Sequence, residues 1–152
     1  MNLPEYVTKE EVRRICKELK IRDWSKLKKP DVPVQEAKKI MASIEMGDIK
    51  IGADDFRQGL EVELEHGTRY PEANVTNNHP VLTGKIVLAH LKETLDYYKR
   101  LEVAELEGDV VKAVEARNFA KLEKIHKKLV NAKLVLAKSE VARLSDLTQP
   151  PR

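Results

Sequence analysis

Two amphipathic segments, one on either side of a polar loop, limit most strongly what this chain can fold into. Asp54 to Gly67 is the first; Val81 to about Leu106 is the second, after a loop running to Pro80. Stepping about 100° per residue, Phe56, Leu60 and Leu64 share one face of the first, with Glu61 and Glu65 opposite in water. On the second, Thr83, Ile86, Val87, Leu91, Thr94, Tyr97, Tyr98 and Leu101 form the apolar face, and Lys85, Lys92, Asp96 and Lys99 the wet one. A period near 3.6 rather than 2 makes these helices, not strands. Ionisable groups interrupt both faces. Glu63 falls beside Leu60 and Gly59 with His66 at the margin, and His90 sits at the centre of the second face with Glu93 flanking it. The spacing predicts a buried polar cluster of Glu63, His66, His90 and Glu93.

The remaining segments are read in the same way. Thr8-Lys9-Glu10-Glu11 is a capping box opening a helix that buries Val12, Ile15, Cys16 and Leu19. Trp24 packs under that helix, and Lys26 to Pro33 is a connector. Val34 to Ile44 is a short helix capped by Gly47, and Ile49-Lys50-Ile51 alternates briefly without a strand partner. Asp54 caps the first central helix and Gly67 ends it, while Pro80 opens the second with Asn78 or His79 as cap. Asn74-Val75-Thr76 spells a glycosylation sequon, which means nothing without secretion. Gly108-Asp109 punctuates the second central helix, and Arg117-Asn118 breaks the chain again. From Phe119 to Leu144, one long helix carries Leu122, Ile125, Leu129, Ala132 and Leu136 at coiled-coil spacing. Phe119, Val130, Leu134, Ala137, Val141 and Leu144 widen its apolar face beyond a simple dimer seam. The expected fold is all-α: a small bundle of four to six helices built on an antiparallel helix pair, with a long C-terminal amphipathic helix. Residues 1–109 form the motif-bearing domain, 110–147 a helical extension packed on it, and 148–152 a disordered tail with Pro150-Pro151.

Bulk composition narrows the function classes. A chain of 152 residues suits one domain with a real core. Aromatic content of 5% against 35% charged residues fits a helical protein with a heavily charged surface, and abundant Lys and Glu fit heat tolerance. Cys16 alone excludes an internal disulfide framework and a cysteine-based zinc finger. No apolar run of about 18 residues offers a membrane span, and Met1 to Glu5 has no signal-peptide pattern, so the reading is a soluble cytoplasmic protein without a membrane partner. A net charge of +3 implies no partner by itself.

Two features carry chemistry. Glu63 and His66 are three apart on one helix, as are His90 and Glu93 on the next, and such Glu/His steps on facing helices build metal sites suited to zinc, iron or manganese. The simpler reading is a Glu–His hydrogen-bonded network that fixes the angle between the helices and needs no metal. No nucleophile, phosphate loop or cofactor motif accompanies the pair, so no catalytic residue is assigned and the reading leans away from an enzyme. The C-terminal helix is the second feature. Lys112 to Arg143 holds nine basic side chains and three acidic ones, net +6, leaving −3 for the rest. Arg117, Lys121, Lys124, Lys127, Lys128 and Lys138 lie along one broad side, where they can grip a phosphate backbone without reading sequence, or stand simply as a solvated face.

A longer pattern runs through the central pair: Phe56-Arg57-Gln58-Gly59-Leu60-Glu61-Val62-Glu63-Leu64-Glu65-His66-Gly67, Asn74-Val75-Thr76-Asn77, Thr83-Gly84-Lys85-Ile86, Ala89-His90-Leu91 with Glu93, and Asp96-Tyr97-Tyr98 with Arg100-Leu101. It resembles a family catalogued as a domain of unknown function and associated with phages, large DNA viruses and bacteria. The resemblance spans roughly Tyr6 to Glu107, with an insertion between Trp24 and Phe56. It departs at Asn78-His79-Pro80, where acidic residues are expected, and at Leu95, where proline is expected. It implies a helical element and no activity. The expected function is a non-enzymatic structural or interaction protein of viral or mobile-element origin, in host cytoplasm or virion, binding a protein partner or itself. Metal binding and nucleic-acid accessory roles are the alternatives.

Overall fold

The computed structural model describes residues 6–147. It is an all-α bundle: α1 (Lys9–Glu18), α2 (Val34–Ala42), α3 (Ala53–Arg69), α4 (Pro80–Glu93), α5 (Tyr97–Glu115) and the long α6 (Phe119–Leu147), with no strand among the described residues. The chain divides into two compact units between Leu95 and Asp96. The tail expected to be disordered, Thr148 to Arg152, and the N-terminal Met1 to Glu5 lie outside the described residues.

In the first unit the amphipathic stripes meet as their spacing requires. Val12 and Cys16 of α1, Trp24, Ala37 and Ile40 of α2, Phe56, Leu60 and Leu64 of α3, and Val87 and Leu91 of α4 form its core. The α1 start follows the capping box in part. Thr8 Oγ1 accepts the Glu11 N–H at 3.2 Å, but the Glu11 carboxylate turns to Arg14 instead of returning to the cap. A buried carboxylate organises the connector. Glu36 accepts the Trp24 indole N–H at 3.0 Å, and the Arg22 backbone N–H and guanidinium at 3.0 and 2.9 Å. Burial pushes the Glu36 pKa up, but the donors from Arg22 and Trp24 outweigh it and hold the group below the usual range. Glu61, read as surface charge, is a second tie. It accepts the Val32 N–H at 3.0 Å and Arg57 at 2.8 Å, joining α3 to the chain entering α2.

The second unit is an antiparallel hairpin of α5 and α6. Arg143 reaches Asp96, Arg100 reaches Asp96 and Glu140, and Lys133 reaches Glu107, partners that ascend on one helix as they descend on the other. Ala113, Ile125, Leu129 and Ala132 are buried along it. Asp96 is only 1% exposed and accepts from two guanidinium nitrogens of Arg100, Nε and Nη2, at 3.0 and 2.9 Å. The turn between the helices is a Schellman motif. Asn118 N–H bonds to Ala113 O and Arg117 N–H to Val114 O, with Arg117 at φ 51°. Lys20, at φ 53°, closes α1 in the same way onto Cys16 and Lys17.

Element boundaries differ from the sequence reading at five places. Asp54 does not cap α3, which begins at Ala53 after an N-cap at Gly52 and carries Asp54 in its first turn. The second central helix is not continuous. It stops at Glu93 and resumes at Tyr97, with Thr94 extended and Asp96 drawn into its arginine cluster. Gly108 does not punctuate it; α5 runs through, because packing against α6 outweighs the roughly 1 kcal/mol cost of a helical glycine. α2 ends at Ala42, five residues before Gly47. Gly67 does not end α3, which continues to Arg69. Its glycine is needed for space: a Cβ there would lie 2.1 Å from Asn78 Oδ1 and 2.8 Å from Asn74 Nδ2. Gly67→Ala should therefore lower the melting temperature. Forcing that polar pair apart costs about 1–3 kcal/mol, more than the gain of roughly 1 kcal/mol from alanine's helix propensity. A thermal melt equal to or above wild type would show that the pair yields freely.

Candidate functional site

In the first unit α3 and α4 bring two of the predicted cluster residues together. Burial of Leu60 and Leu64 turns Glu63 toward α4, and burial of Val87 and Leu91 does the same for His90. Glu63 Oε1 lies 3.6 Å from His90 Nε2, with both side chains part-buried. That separation exceeds a direct hydrogen bond and describes an ion pair that forms when the imidazole is protonated. His66 and Glu93 are exposed. One sits three residues past Glu63, where about 60° of helical rotation carries it out of the contact; the other is the last residue of α4. Among the described residues no group of three or more His, Cys, Asp and Glu side chains is placed to hold a metal ion.

A polar network that sequence reasoning missed lies at the α3–α4 loop. Asn74 Nδ2 donates to Gly67 O at 3.2 Å and to Asn78 Oδ1 at 2.9 Å, and Asn74 Oδ1 accepts the Asn78 N–H at 3.3 Å. Asn77 Nδ2 donates to Val7 O at 2.6 Å, pinning the loop to the chain entering α1. Asn77 and Asn78 both adopt left-handed backbone, at φ 48° and 60°, which asparagine tolerates better than most residues. The sequon asparagine is thus a structural donor. His79 then caps α4: its Nδ1 accepts the Leu82 N–H at 3.3 Å, so the cap needs an unprotonated nitrogen. Burial lowers the His79 pKa, which favours that form. The signal available in the sequence was the Asn-rich loop following a glycine near a helix end.

The first unit also holds an open cleft of about 610 Å³, lined by Ser43, Ile44, Glu45, Lys85, Leu88, Ala89 and Lys92. Its one hydroxyl, Ser43 Oγ, donates to Ile40 O at 2.7 Å. No histidine lines the cleft to activate it as a nucleophile.

In the second unit α6 has three sides. One, with Ile125, Leu129 and Ala132, is buried on α5. A second, roughly 120° round at about 100° per residue, leaves Val130, Leu134, Val141 and Leu144 exposed by 56, 52, 62 and 62%. The third is basic. Lys121, Lys124, Lys127, Lys128 and Lys138 are exposed on it, and Arg117 stands apart in the α5–α6 turn. Lys127 pairs with Glu123 at 2.6 Å, whereas among the described residues no carboxylate pairs with Lys121, Lys124, Lys128 or Lys138.

No helix among the described residues is long and apolar enough to cross a membrane. Residues 12–107 match a family model described as a protein of unknown function (DUF5661), so the Glu63–His90 pair and the asparagine network lie inside the match and α6 lies beyond it. No curated protein and no solved structure matches the chain.

Two measurements probe the first unit. His90→Ala should destabilise by about 1 kcal/mol, because the part-buried Glu63 loses this contact; a melt identical to wild type would make the contact incidental. The second probe is pH. A histidine whose folded pKa is depressed stabilises fully above its ordinary value near 6.5 and loses that contribution as pH falls toward the folded value. Melting should therefore fall on acidification below about pH 6.5, and His79→Asn, which caps without titrating there, should flatten that limb. An unchanged limb in the variant would assign it elsewhere.

Proposed function

We propose, for a chain that belongs to the DUF5661 family of proteins of unknown function, a non-enzymatic role as a helical interaction protein whose docking element is the exposed apolar side of α6. The observation that carries this reading is the row Val130, Leu134, Val141 and Leu144, each more than half exposed while a separate row of α6 already meets α5. Scattered apolar residues on a surface need no explanation; a row at 3–4 spacing over about four helical turns does. On this reading Glu63 and His90 fix helix packing in the first unit, and the asparagine network sets the α3–α4 loop. The basic side of α6 supports a second reading, in which Lys121, Lys124, Lys128 and Lys138 grip a nucleic-acid backbone. That reading needs no apolar contact, so reversing charges at Lys124 and Lys128, rather than altering Leu134 and Val141, is what would abolish it.

The test separates a docking row from a misjudged core. Leu134→Ser with Val141→Ser should leave helicity intact and change stability by no more than about 0.5 kcal/mol per site, as for surface positions. Leu129→Ser, on the buried row, should cost several times more. If the double variant melts as far below wild type as Leu129→Ser does, the row is core and the interaction reading fails.

A further inference from the structure

Resting on that docking role for α6, we infer that its partner is an acidic amphipathic helix of another protein. The shape of the site sets the first half of this. Val130, Leu134, Ala137, Val141 and Leu144 alternate four and three residues apart on a continuous helix. That is the spacing with which one helix meets another along a seam, and the row extends about 21 Å.

Charge sets the second half. Lys127 and Lys138 are eleven residues apart, three helical turns, and therefore border the same edge of the row; Lys133 borders the other. Lys133 is already tied to Glu107 at 2.7 Å, and Lys127 has only the exposed Glu123, at 2.6 Å. From Phe119 to Arg143 the helix carries seven basic side chains and two acidic ones. A second copy of the chain fits this surface poorly. Pairing α6 with itself in parallel sets Lys127 against its own counterpart and Lys133 against Lys138 of the other copy. Pairing it antiparallel about Ala137, the middle of the row, brings the two copies of Lys138 together, and the Lys133 it sets near Glu140 of the other copy is already paired with Glu107, as Glu140 is with Arg100. Juxtaposed like charges oppose such contacts, whereas glutamates flanking a partner's apolar seam would meet these lysines favourably and fix the register.

The experiment uses the full chain and a designed fluorescein-labelled 28-residue helix with leucine at the seam and glutamate at the flanks, read by fluorescence anisotropy. Its control has lysine at the flanks. The acidic helix should bind at least tenfold more tightly than the control and weaken as salt rises. Lys127→Glu with Lys138→Glu should reduce its affinity at least tenfold, and Leu134→Ser with Val141→Ser should abolish binding. Equal binding of the two helices, or affinity unchanged by charge reversal, would overturn the inference. Phosphatidylserine vesicles and a duplex DNA are run beside them. Binding of either while the acidic helix does not bind overturns the partner class. Light scattering that shows a dimer dissociated by the Ser double variant makes the partner a second copy, again overturning the inference while leaving the docking role of α6 standing. If none of the probes binds and the chain is monomeric, both fall.

Discussion

A carboxylate withdrawn from water must be met by donors, and each unit is built round one such carboxylate. Glu36 in the first and Asp96 in the second are both buried. Neither earns its place through Coulomb energy alone, since desolvation offsets much of what a buried ion pair gains. What each does is select a geometry. Glu36 can be satisfied only when Arg22 and Trp24 converge on α2, which folds the connector back over the helix it precedes. Asp96 is met by Arg100 one turn along α5 and by Arg143 near the far end of α6. The hairpin register follows: with Asp96 opposite Arg143, Arg100 falls near Glu140 and Glu107 near Lys133.

The same requirement explains which boundaries could be read from the residues. Two helix starts were legible because their chemistry is local, Thr8 before Glu11 and His79 before Pro80, whereas Asp54 lies inside the first turn of α3, past its cap at Gly52. The long α6 was legible from its period. The end of α5 was legible at Arg117-Asn118, even though Arg117, like Lys20 after α1, occupies a left-handed position where glycine is the usual marker. Gly47, Gly67 and Gly108, which look like punctuation, serve other ends or none. The break at Thr94 to Asp96 carries neither glycine nor proline. It falls at Leu95, the position where the resemblance led to an expectation of proline. Asp96 was assigned to water by its helical phase, and that phase lapsed once the helix broke before it.

At the candidate sites, helical phase succeeded near the middle of a face and failed at its margins. Glu63 and His90 meet because buried leucines and a valine on either side fix their direction. His66 and Glu93 lie at the margin of a face and at the end of a helix, where a small rotation separates contact from exposure. Glu61 shows the converse: a residue opposite the main apolar stripe still finds a partner, because α2 and its lead-in segment approach α3 from that side. The asparagine network escaped because amide donors bonding to backbone leave no periodic trace.

α6 departs from the rest of the chain in a way that geometry makes consequential. A helix in a two-helix hairpin can bury one side on its neighbour, and α6 does so with Ile125, Leu129 and Ala132. A second apolar row at a wide angle to the first contributes nothing to that contact. Were the apolar breadth of α6 an accident of composition, the extra residues would scatter round the helix. Instead Val130, Leu134, Ala137, Val141 and Leu144 align, with Val135 outside the row, while the lysines other than Lys133 gather on the side that remains. Separating a helix into a buried row, an exposed apolar row and a basic side keeps the packing on α5 apart from the surface rows, which is the condition in which a further helix can add without disturbing what is already packed.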